Sequence, residues 1–416
     1  MHGATCEYND FKPELHEFPI PIESRSMALN PPLGRKLRMG LVGGAGGFIG
    51  RVHALAATLD GRAGLTAGAL SSDPARARAA AADFAIPPER AYDSYQALLA
   101  GESALPPGQR IDFVSIATPN DSHFEIAQAS VQAGFHVVCD KPLTVDLEQA
   151  TRLAALVQQT GVVFAVMHNY TGYPLVRQAR DMVRGGELGE IHAVRAGYLQ
   201  GSLYRQRTPE QQRRFAWKTD PRRAGASGCF GDIGIHAYNL LRFVTGHPPD
   251  RVSCHLRVFL PDGRLDDYGV AIVQFKTGAM GTITASRVSH GRENDLWIEI
   301  DGTRGSLAWR QEEPNGMWLR IHGQPHRLFT RDPGAGFTTD SARAVCRLPA
   351  GHPEGFLQAF ANVYTAVYAD MLASAGGKQG AESPSLYPNV MDGVEGVAFV
   401  TQCVASSRDG GAWKAL

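Results

Sequence analysis

Four short stretches of this chain carry side chains whose types and spacing could do chemistry. The first is Gly43-Gly44-Ala45-Gly46-Gly47-Phe48-Ile49-Gly50, between an apolar run and a segment of helical periodicity. Glycines there let a pyrophosphate approach the backbone, and the unpartnered N–H groups at the mouth of a helix attract anions. The spacing departs from strict G-x-G-x-x-G, because the sixth residue from Gly43 is Phe48 and counting back from Gly50 puts Ala45 first. The loop reads as two residues longer than standard. The second stretch is Thr118-Pro119-Asn120 with His123 one turn later; the third is Asp140-Lys141-Pro142, where a cis X-Pro bond would fix the direction of Lys141. The fourth, Gly231-Asp232-Ile233-Gly234-Ile235-His236, spaces Asp232 and His236 so that a helix presents both on one face. An imidazole held by a carboxylate titrates near neutrality and can act as general base for an alcohol proton. Singly, Lys141 reads as a solvated lysine and Asp232–His236 as a surface ion pair. The order of all four in one chain carries the argument.

These stretches need elements to hold them. Apolar, β-branched runs at 37–42, 65–70, 111–117, 136–139 and 162–166 alternate with helical periodicity after Gly50 and at 74–84, 121–133 and 146–159. Such alternation requires right-handed crossovers and a parallel, doubly wound α/β sheet of the Rossmann kind, with ligands at the carboxyl ends of the strands. The glycine loop and the Thr118 and Lys141 motifs all fall at such ends. Beyond residue 167 the pattern changes to a helix at 174–185 and strands at 191–199, 252–259, 268–275, 280–286, 296–300, 306–310 and 317–321, with turns at Thr277-Gly278 and Asp301-Gly302. That predicts an α+β domain on a largely antiparallel open sheet, with helices returning at 355–374 and 389–407. The division is therefore an extension over 1–36, a dinucleotide-binding Rossmann domain over 37–167, and a substrate-binding and oligomerisation α+β domain over 168–416. The extension has five prolines and no periodicity, and reads as a disordered tail or as an arm docking Phe11, Phe18 and Ile20 on a neighbouring subunit.

With 41 basic and 41 acidic side chains among 416 residues, nothing favours nucleic acid or an anionic membrane as a partner, and no apolar run would span a bilayer. Cys6, Cys139, Cys229, Cys254, Cys346 and Cys403 form no close pair, which suggests reduced thiols in a cytoplasm and no metal framework. Residues 1–36 lack the apolar core of an export signal. An open sheet needs its outer face covered, so a homo-oligomer, dimer or tetramer, is expected.

The glycine loop, T-P-N-x-x-H, D-K-P and G-D-I-G-x-H together resemble the Gfo/Idh/MocA family of nicotinamide-dependent oxidoreductases, from about Leu37 to the C-terminus. The family's E-K-P motif is matched by Asp140-Lys141-Pro142, its D-x-x-x-H motif by Asp232 and His236, and its W-[RK]-x-D-P segment by Trp217 to Pro221. Where the family usually has N-x-R, this chain has His168-Asn169-Tyr170-Thr171-Gly172-Tyr173-Pro174, without the arginine. The resemblance implies hydride transfer between nicotinamide C4 and a secondary alcohol carbon of a sugar, glycoside or polyol. In it His236 takes the hydroxyl proton, Lys141 steadies the developing alkoxide, and Asp232 orients the imidazole or a neighbouring hydroxyl. It implies cofactor contacts at Gly43, Gly46, Gly47, Phe48, Ile49, Gly50, Ser71, Ser72, Thr118, Pro119, Asn120, His123, Asp140 and Lys141. Substrate contacts fall at His168, Tyr173, Trp217, Lys218 and Arg222, and no metal is needed. The second strand ends in Ser71-Ser72-Asp73 rather than an acid, with Arg76 and Arg78 in the helix beyond. NAD is expected, with NADP left open.

Arg205, Arg207, Arg213, Arg214, Lys218, Arg222 and Arg223 stand against Glu210 and Asp220, a local excess of five positive charges. This segment reads as a solvated loop or subunit contact, or as a grip on an anionic sugar. Some members of the family are redox-neutral glycosidases that oxidise, eliminate, hydrate and reduce. Hydrolysis of glycosides such as sulfoquinovosides is therefore the alternative to net dehydrogenation.

Overall fold

The computed structural model describes residues 35–206, 208–261, 263–375 and 385–416. The proposed arm with Phe11, Phe18 and Ile20 lies outside the described residues, as do Arg207 and the side chain of Arg214. The N-terminal half runs β1 (Leu37–Gly43), α1 (Phe48–Thr58), β2 (Ala63–Ala69), α2 (Pro74–Asp83), α3 (Tyr95–Ser103), β3 (Phe113–Ala117), α4 (His123–Gln132), β4 (His136–Asp140), α5 (Leu147–Thr160) and β5 (Phe164–Met167). The strands form one parallel sheet in the order β2-β1-β3-β4-β5. Both faces are covered, so β3 and β5 are buried at every residue and read as nearly continuous apolar runs, broken only by Ser115 in β3. Helix α3 carries no such signal, because its buried positions are Leu98, Leu99 and the charged Glu102; the Ser94 hydroxyl caps it by accepting from the Ala97 N–H at 3.1 Å.

The strand order reverses between β1 and β3, where Gly43 and Ala117 lie side by side. The glycine loop and the Thr118 motif thus meet at the switch point, where doubly wound sheets bind ligands.

The second half runs α6 (Pro174–Arg184), β6 (Ile191–Leu199), α7 (Pro209–Phe215), α8 (Pro221–Ala224), α9 (Ile235–Thr245), β7 (Arg251–Arg257), β8 (Tyr268–Gln274), β9 (Met280–Ser286), β10 (Asp295–Gly302), β11 (Gly305–Arg310), β12 (Gly316–Ile321), β13 (Arg327–Thr330), α10 (Asp340–Arg343), α11 (Phe356–Ala375), α12 (Val390–Arg408) and β14 (Lys414–Ala415). Its strands form a sheet ordered β13-β12-β11-β10-β6-β9-β8-β7-β14, antiparallel except for the parallel pair β6–β9. Strands β13 and β14 are too short to show a period in the sequence. The turn expected at Asp301-Gly302 moves to Thr303-Arg304, since Gly302 stays in β10 and is pressed against the Leu188 carbonyl, 2.3 Å from where a Cβ would sit.

Alternation along the strands sends Val194, Ala196, Ile283, Ala285, Ile298 and Ile300 inward against α6 and α9. The opposite face carries a cross-strand row of Leu328, Trp318, Ala308, Glu299, Arg195, Thr282 and Ile272. The C-terminal helices return to the first sheet. Phe360, Tyr364, Val367 and Tyr368 of α11 pack with Met39, Leu41 and Phe113, while α12 places Val390 and Val397 against the β5 side and Phe399 and Cys403 in the second core. This double membership holds the two sheets in one arrangement, on which the site between them depends. Among the described residues no helix is long and apolar enough to cross a membrane, and the five cysteines are free.

Candidate active site

β1 hands over to α1 through residues 44–47, with positive φ at Gly43 (+87°), Gly44 (+99°) and Gly46 (+73°). A Cβ on Gly50 would lie 2.3 Å from the Gly44 Cα, and one on Gly43 would lie 2.6 Å from the Ala117 carbonyl. Glycine is therefore required for the loop to fold onto its helix and onto β3. Gly47 occupies the N-cap of α1 without a side-chain cap, so the first amides of the helix keep their donors for a ligand. Phe48 is 69% exposed at this mouth, its ring stacked 6.1 Å from Phe356. The Ala45 N–H donates to the Leu70 carbonyl at 3.0 Å, which brings the end of β2, with Ser71 and Ser72, beside the loop. Arg78 is paired with Asp93, whereas the Arg76 guanidinium comes within 3.7 Å of a Cβ placed on Gly46. These residues fit a dinucleotide: a close backbone approach, uncapped helix amides and hydroxyls at the second strand end.

At the next strand ends the geometry sorts the expected contacts. The Ser122 hydroxyl donates to Thr118 Oγ1 at 2.8 Å, and Asn120 Nδ2 donates to the Ala224 carbonyl at 3.1 Å, tying this loop to α8. His123 does not serve as a cofactor contact: it is fully buried, with Nδ1 2.7 Å from the Pro142 carbonyl and Nε2 3.0 Å from that of Thr118. It is a strut between the two motifs. Asp140 accepts the Lys141 N–H at 2.8 Å, and the Lys141–Pro142 peptide is cis.

Lys141 reaches across to the second half of the chain, its Nζ 2.5 Å from the Asp232 carbonyl and 2.9 Å from Asp232 Oδ1. Lys218 Nζ adds contacts of 3.0 and 3.3 Å to the two Asp232 carboxylate oxygens, and Arg287 Nη1 stands 3.7 Å away. Asp232 sits in a π-helical turn, Phe230–Gly234, that leads directly into α9. Such turns re-aim side chains and recur at functional sites. This one is anchored by Asp266, which accepts from the N–H groups of Gly228 and Phe230 at 2.8 and 2.9 Å. Burial would raise the Asp232 carboxyl, but Lys141, Lys218 and Arg287 hold it well below the usual carboxylate range. The Lys218 ammonium is pulled down by burial, with Asp232 opposing.

Asp232, expected to orient the imidazole or a neighbouring hydroxyl, has its described contacts with Lys141, Lys218 and Arg287, and none of them joins it to His236. His236 instead has its Nδ1 3.3 Å from Nδ1 of His168, ring centroids 5.2 Å apart and planes at 88°. Burial, and then Lys141, push His236 well below 6.5, and His168 adds to this only once it is itself protonated; burial and Lys141 bring His168 down to about 3. Both imidazoles are neutral near pH 7. Beside them the Tyr170 and Tyr198 hydroxyls are 2.6 Å apart, Tyr198 donates to Asn294 Oδ1 at 2.7 Å, and the Tyr170 ring meets His236 edge-on at 4.9 Å.

Tyr173, expected at the substrate, is 2% exposed and packed on Trp309 at 5.3 Å, a core position. Arg222 is also displaced from that role, its side chain 89% exposed and paired with Asp220. Trp217 is half-buried, with Lys218 Nζ 5.5 Å from its ring centre. Arg287, Tyr198 and Asn294 join the site without having been expected. Tyr198 and Arg287 fall at the ends of the parallel strands β6 and β9, and that pairing, which no local pattern in the sequence announces, is what brings them to the site.

Residues 37–168 match the model of the oxidoreductase family with an NAD-binding Rossmann fold, and residues 176–308 match the GFO/IDH/MocA C-terminal domain. The chain is 30% identical to the uncharacterized oxidoreductase YfiI of Bacillus subtilis over 387 residues, 92% of this chain and 97% of that one. It is 30% identical over 308 residues to levoglucosan dehydrogenase of Pseudarthrobacter phenanthrenivorans, covering 67% of this chain and 74% of the other. Among solved structures it superposes, with a TM-score of 0.86 and 34% identity over 92% of this chain and 99% of the other, on an inositol dehydrogenase homolog from Azotobacter vinelandii complexed with NADH and myo-inositol. Fold, glycine cradle and these matches agree: the chain belongs to the GFO/IDH/MocA family of oxidoreductases, with NAD as the cofactor of its N-terminal half.

Proposed function

We propose that this protein is an NAD-dependent dehydrogenase that oxidises one secondary hydroxyl of a neutral cyclic polyol or sugar. The observation that carries this reading is the junction of Lys141, at the end of β4, with the turn that launches His236. There the Lys141 ammonium is near enough to His236 to help keep its imidazole neutral. NAD supplies the hydride acceptor. His236 Nε2 takes the hydroxyl proton, and Lys141 Nζ donates to the same oxygen as it gains charge, work worth roughly 10²–10⁴-fold for a positioned base. Asp232 holds Lys141 and Lys218 in place through its carboxylate. The myo-inositol and levoglucosan in the names of the relatives are neutral rings, which supports the substrate class. The cationic segment supports the same reading: among its described residues Arg222 and Arg223 pair with Asp220 and Asp121, and Lys218 is the one that reaches Asp232. The apolar ends of the outer sheet face, Ile272 and Met280 on one side and Trp318 and Leu328 on the other, support a homo-oligomer through that face.

The test offers purified protein with NAD a panel of myo-inositol, levoglucosan, glucose, glucose 6-phosphate, sulfoquinovose and chromogenic glycosides, following NADH and released aglycone together. NADH accumulating with the neutral rings is the expected result. Preference for the anionic sugars would overturn the substrate class. Aglycone release on catalytic NAD, without NADH accumulating, would replace the dehydrogenase with a redox-neutral glycosidase.

A further inference from the structure

We infer that His168 is the hydrogen-bond acceptor that sets His236 for proton abstraction, standing where a carboxylate would otherwise orient the base; this rests on the dehydrogenase reading of the site. Asp232 does not fill that place: among the described residues its carboxylate contacts are with Lys141 and Lys218 at 2.9 to 3.3 Å and with Arg287 at 3.7 Å, and none is with His236. The ring nitrogen facing His236 Nδ1 is Nδ1 of His168, at 3.3 Å.

Two neutral imidazoles joined Nδ1 to Nδ1 share one proton, and its place decides the chemistry. If His168 donates, His236 carries its hydrogen on Nε2 and has no lone pair for the alcohol. If His236 donates, its Nε2 lone pair is free. On oxidation the substrate O–H bond breaks and an Nε2–H bond forms on His236, while the C–H hydride leaves to NAD. The Nδ1–H stays on His236 and becomes a charge-assisted donor to His168, stabilising the imidazolium as it forms. Burial makes this help necessary, since an imidazole depressed by burial and by Lys141 is a weak base. The identity of the acceptor follows from its neighbours. Lys141, Lys218 and Arg287 face this pocket with Asp232, and Tyr170 and Tyr198 close it. A carboxylate at position 168 would be drawn to the Lys141 ammonium, whereas a neutral imidazole remains available to His236.

The experiment compares His168→Phe, which keeps a ring and removes the acceptor, with His168→Gln, which restores a carbonyl acceptor. Histidine ¹⁵N shifts, assigned with His236→Gln, read the tautomers in the wild type without any substrate. The expected wild-type state is His236 protonated at Nδ1 and His168 at Nε2. With NAD and whichever of myo-inositol or levoglucosan is turned over, kcat of His168→Phe should fall about 10- to 100-fold. The acid limb of its pH profile should move to lower pH, its NADH Kd should stay within about twofold, and His168→Gln should recover part of the loss. A wild-type His236 protonated at Nε2 would overturn the inference, as would His168→Phe with wild-type kcat and pH profile. Full activity in His236→Ala would instead sink the dehydrogenase reading beneath it.

Discussion

Two buried histidines in this molecule are alike in burial and unlike in company. His53, from α1, is fully buried with Nδ1 2.7 Å from the Tyr364 hydroxyl of α11 and 3.2 Å from the Ser115 hydroxyl of β3. The two hydroxyls are themselves 2.8 Å apart, and Phe360 meets the His53 ring edge-on at 5.4 Å. His236 is 7% exposed and faces a second imidazole, three cations around one carboxylate, and a tyrosine pair. Burial is the first cause that lowers the pKa of each. Burial alone therefore makes a neutral imidazole and nothing more. What separates a strut from a base is company: an ammonium able to hold the same substrate oxygen and a second imidazole on the far ring nitrogen.

The comparison breaks most visibly at Lys141. Lys141→Ala removes the ammonium but leaves Asp232 with Lys218 and Arg287, so the fold should persist. The expected outcome is a loss of kcat of about 10³-fold or more, roughly 4 kcal/mol of transition-state stabilisation, with Tm shifted by no more than a few degrees. Wild-type kcat in a folded Lys141→Ala would remove the distinction between the clusters. The converse change is His53→Ala, which leaves a cavity beside Phe360 and strips a partner from Tyr364 and Ser115. It should cost about 2–4 kcal/mol in urea unfolding while kcat at saturating NAD stays within about threefold. A His53→Ala variant that lost activity without losing stability would show that this cluster also serves the chemistry.

The sequence revealed these two regions unequally. The strand ends were legible: the runs before Gly43, Thr118 and Asp140 are strands buried along most of their length, and near-continuous apolar character is what a doubly covered parallel sheet imposes. Lys141, Asp232 and His236 stand out because their motifs are local. Their contacts are not local. Lys141 and Asp232 meet across 91 residues, and His168 and His236 across 68, so the spacing within D-x-x-x-H could not show that the carboxylate turns to cations rather than to its own histidine. The π-helical turn adds to this, since it alters the periodicity on which the shared-face argument relied. Arg287 and Tyr198 were invisible for a related reason, as they matter only because β6 and β9 pair in parallel across a long crossover. His53 had no motif at all. Its partners come from β3 and α11, and only the return of the C-terminal helix to the first sheet brings Tyr364 to it.

Acid sharpens the comparison further, with a smaller effect. Each of these histidines has a folded-state pKa below the 6.5 of a free imidazole, so the unfolded chain takes up protons that the folded chain refuses. Their contribution to stability is complete above pH 6.5 and drains away as the pH falls toward the folded value. For His168, brought down to about 3, the loss is roughly 1.4 kcal/mol per pH unit over that window. Between pH 7 and pH 5 the wild type should therefore lose about 2 kcal/mol more in urea unfolding than His168→Phe does. The causes then separate the clusters. Lys141 helps to lower both His168 and His236 but is absent from the causes acting on His53, where Asp140 opposes burial. Lys141→Ala should thus end the acid loss that belongs to the active-site pair at a higher pH, while His53→Ala removes a separate part, and the double variant should show both changes. If Lys141→Ala went on losing stability to as low a pH as the wild type, its ammonium would not be pressing on the two imidazoles, and the electrostatic difference between strut and base would lose its ground.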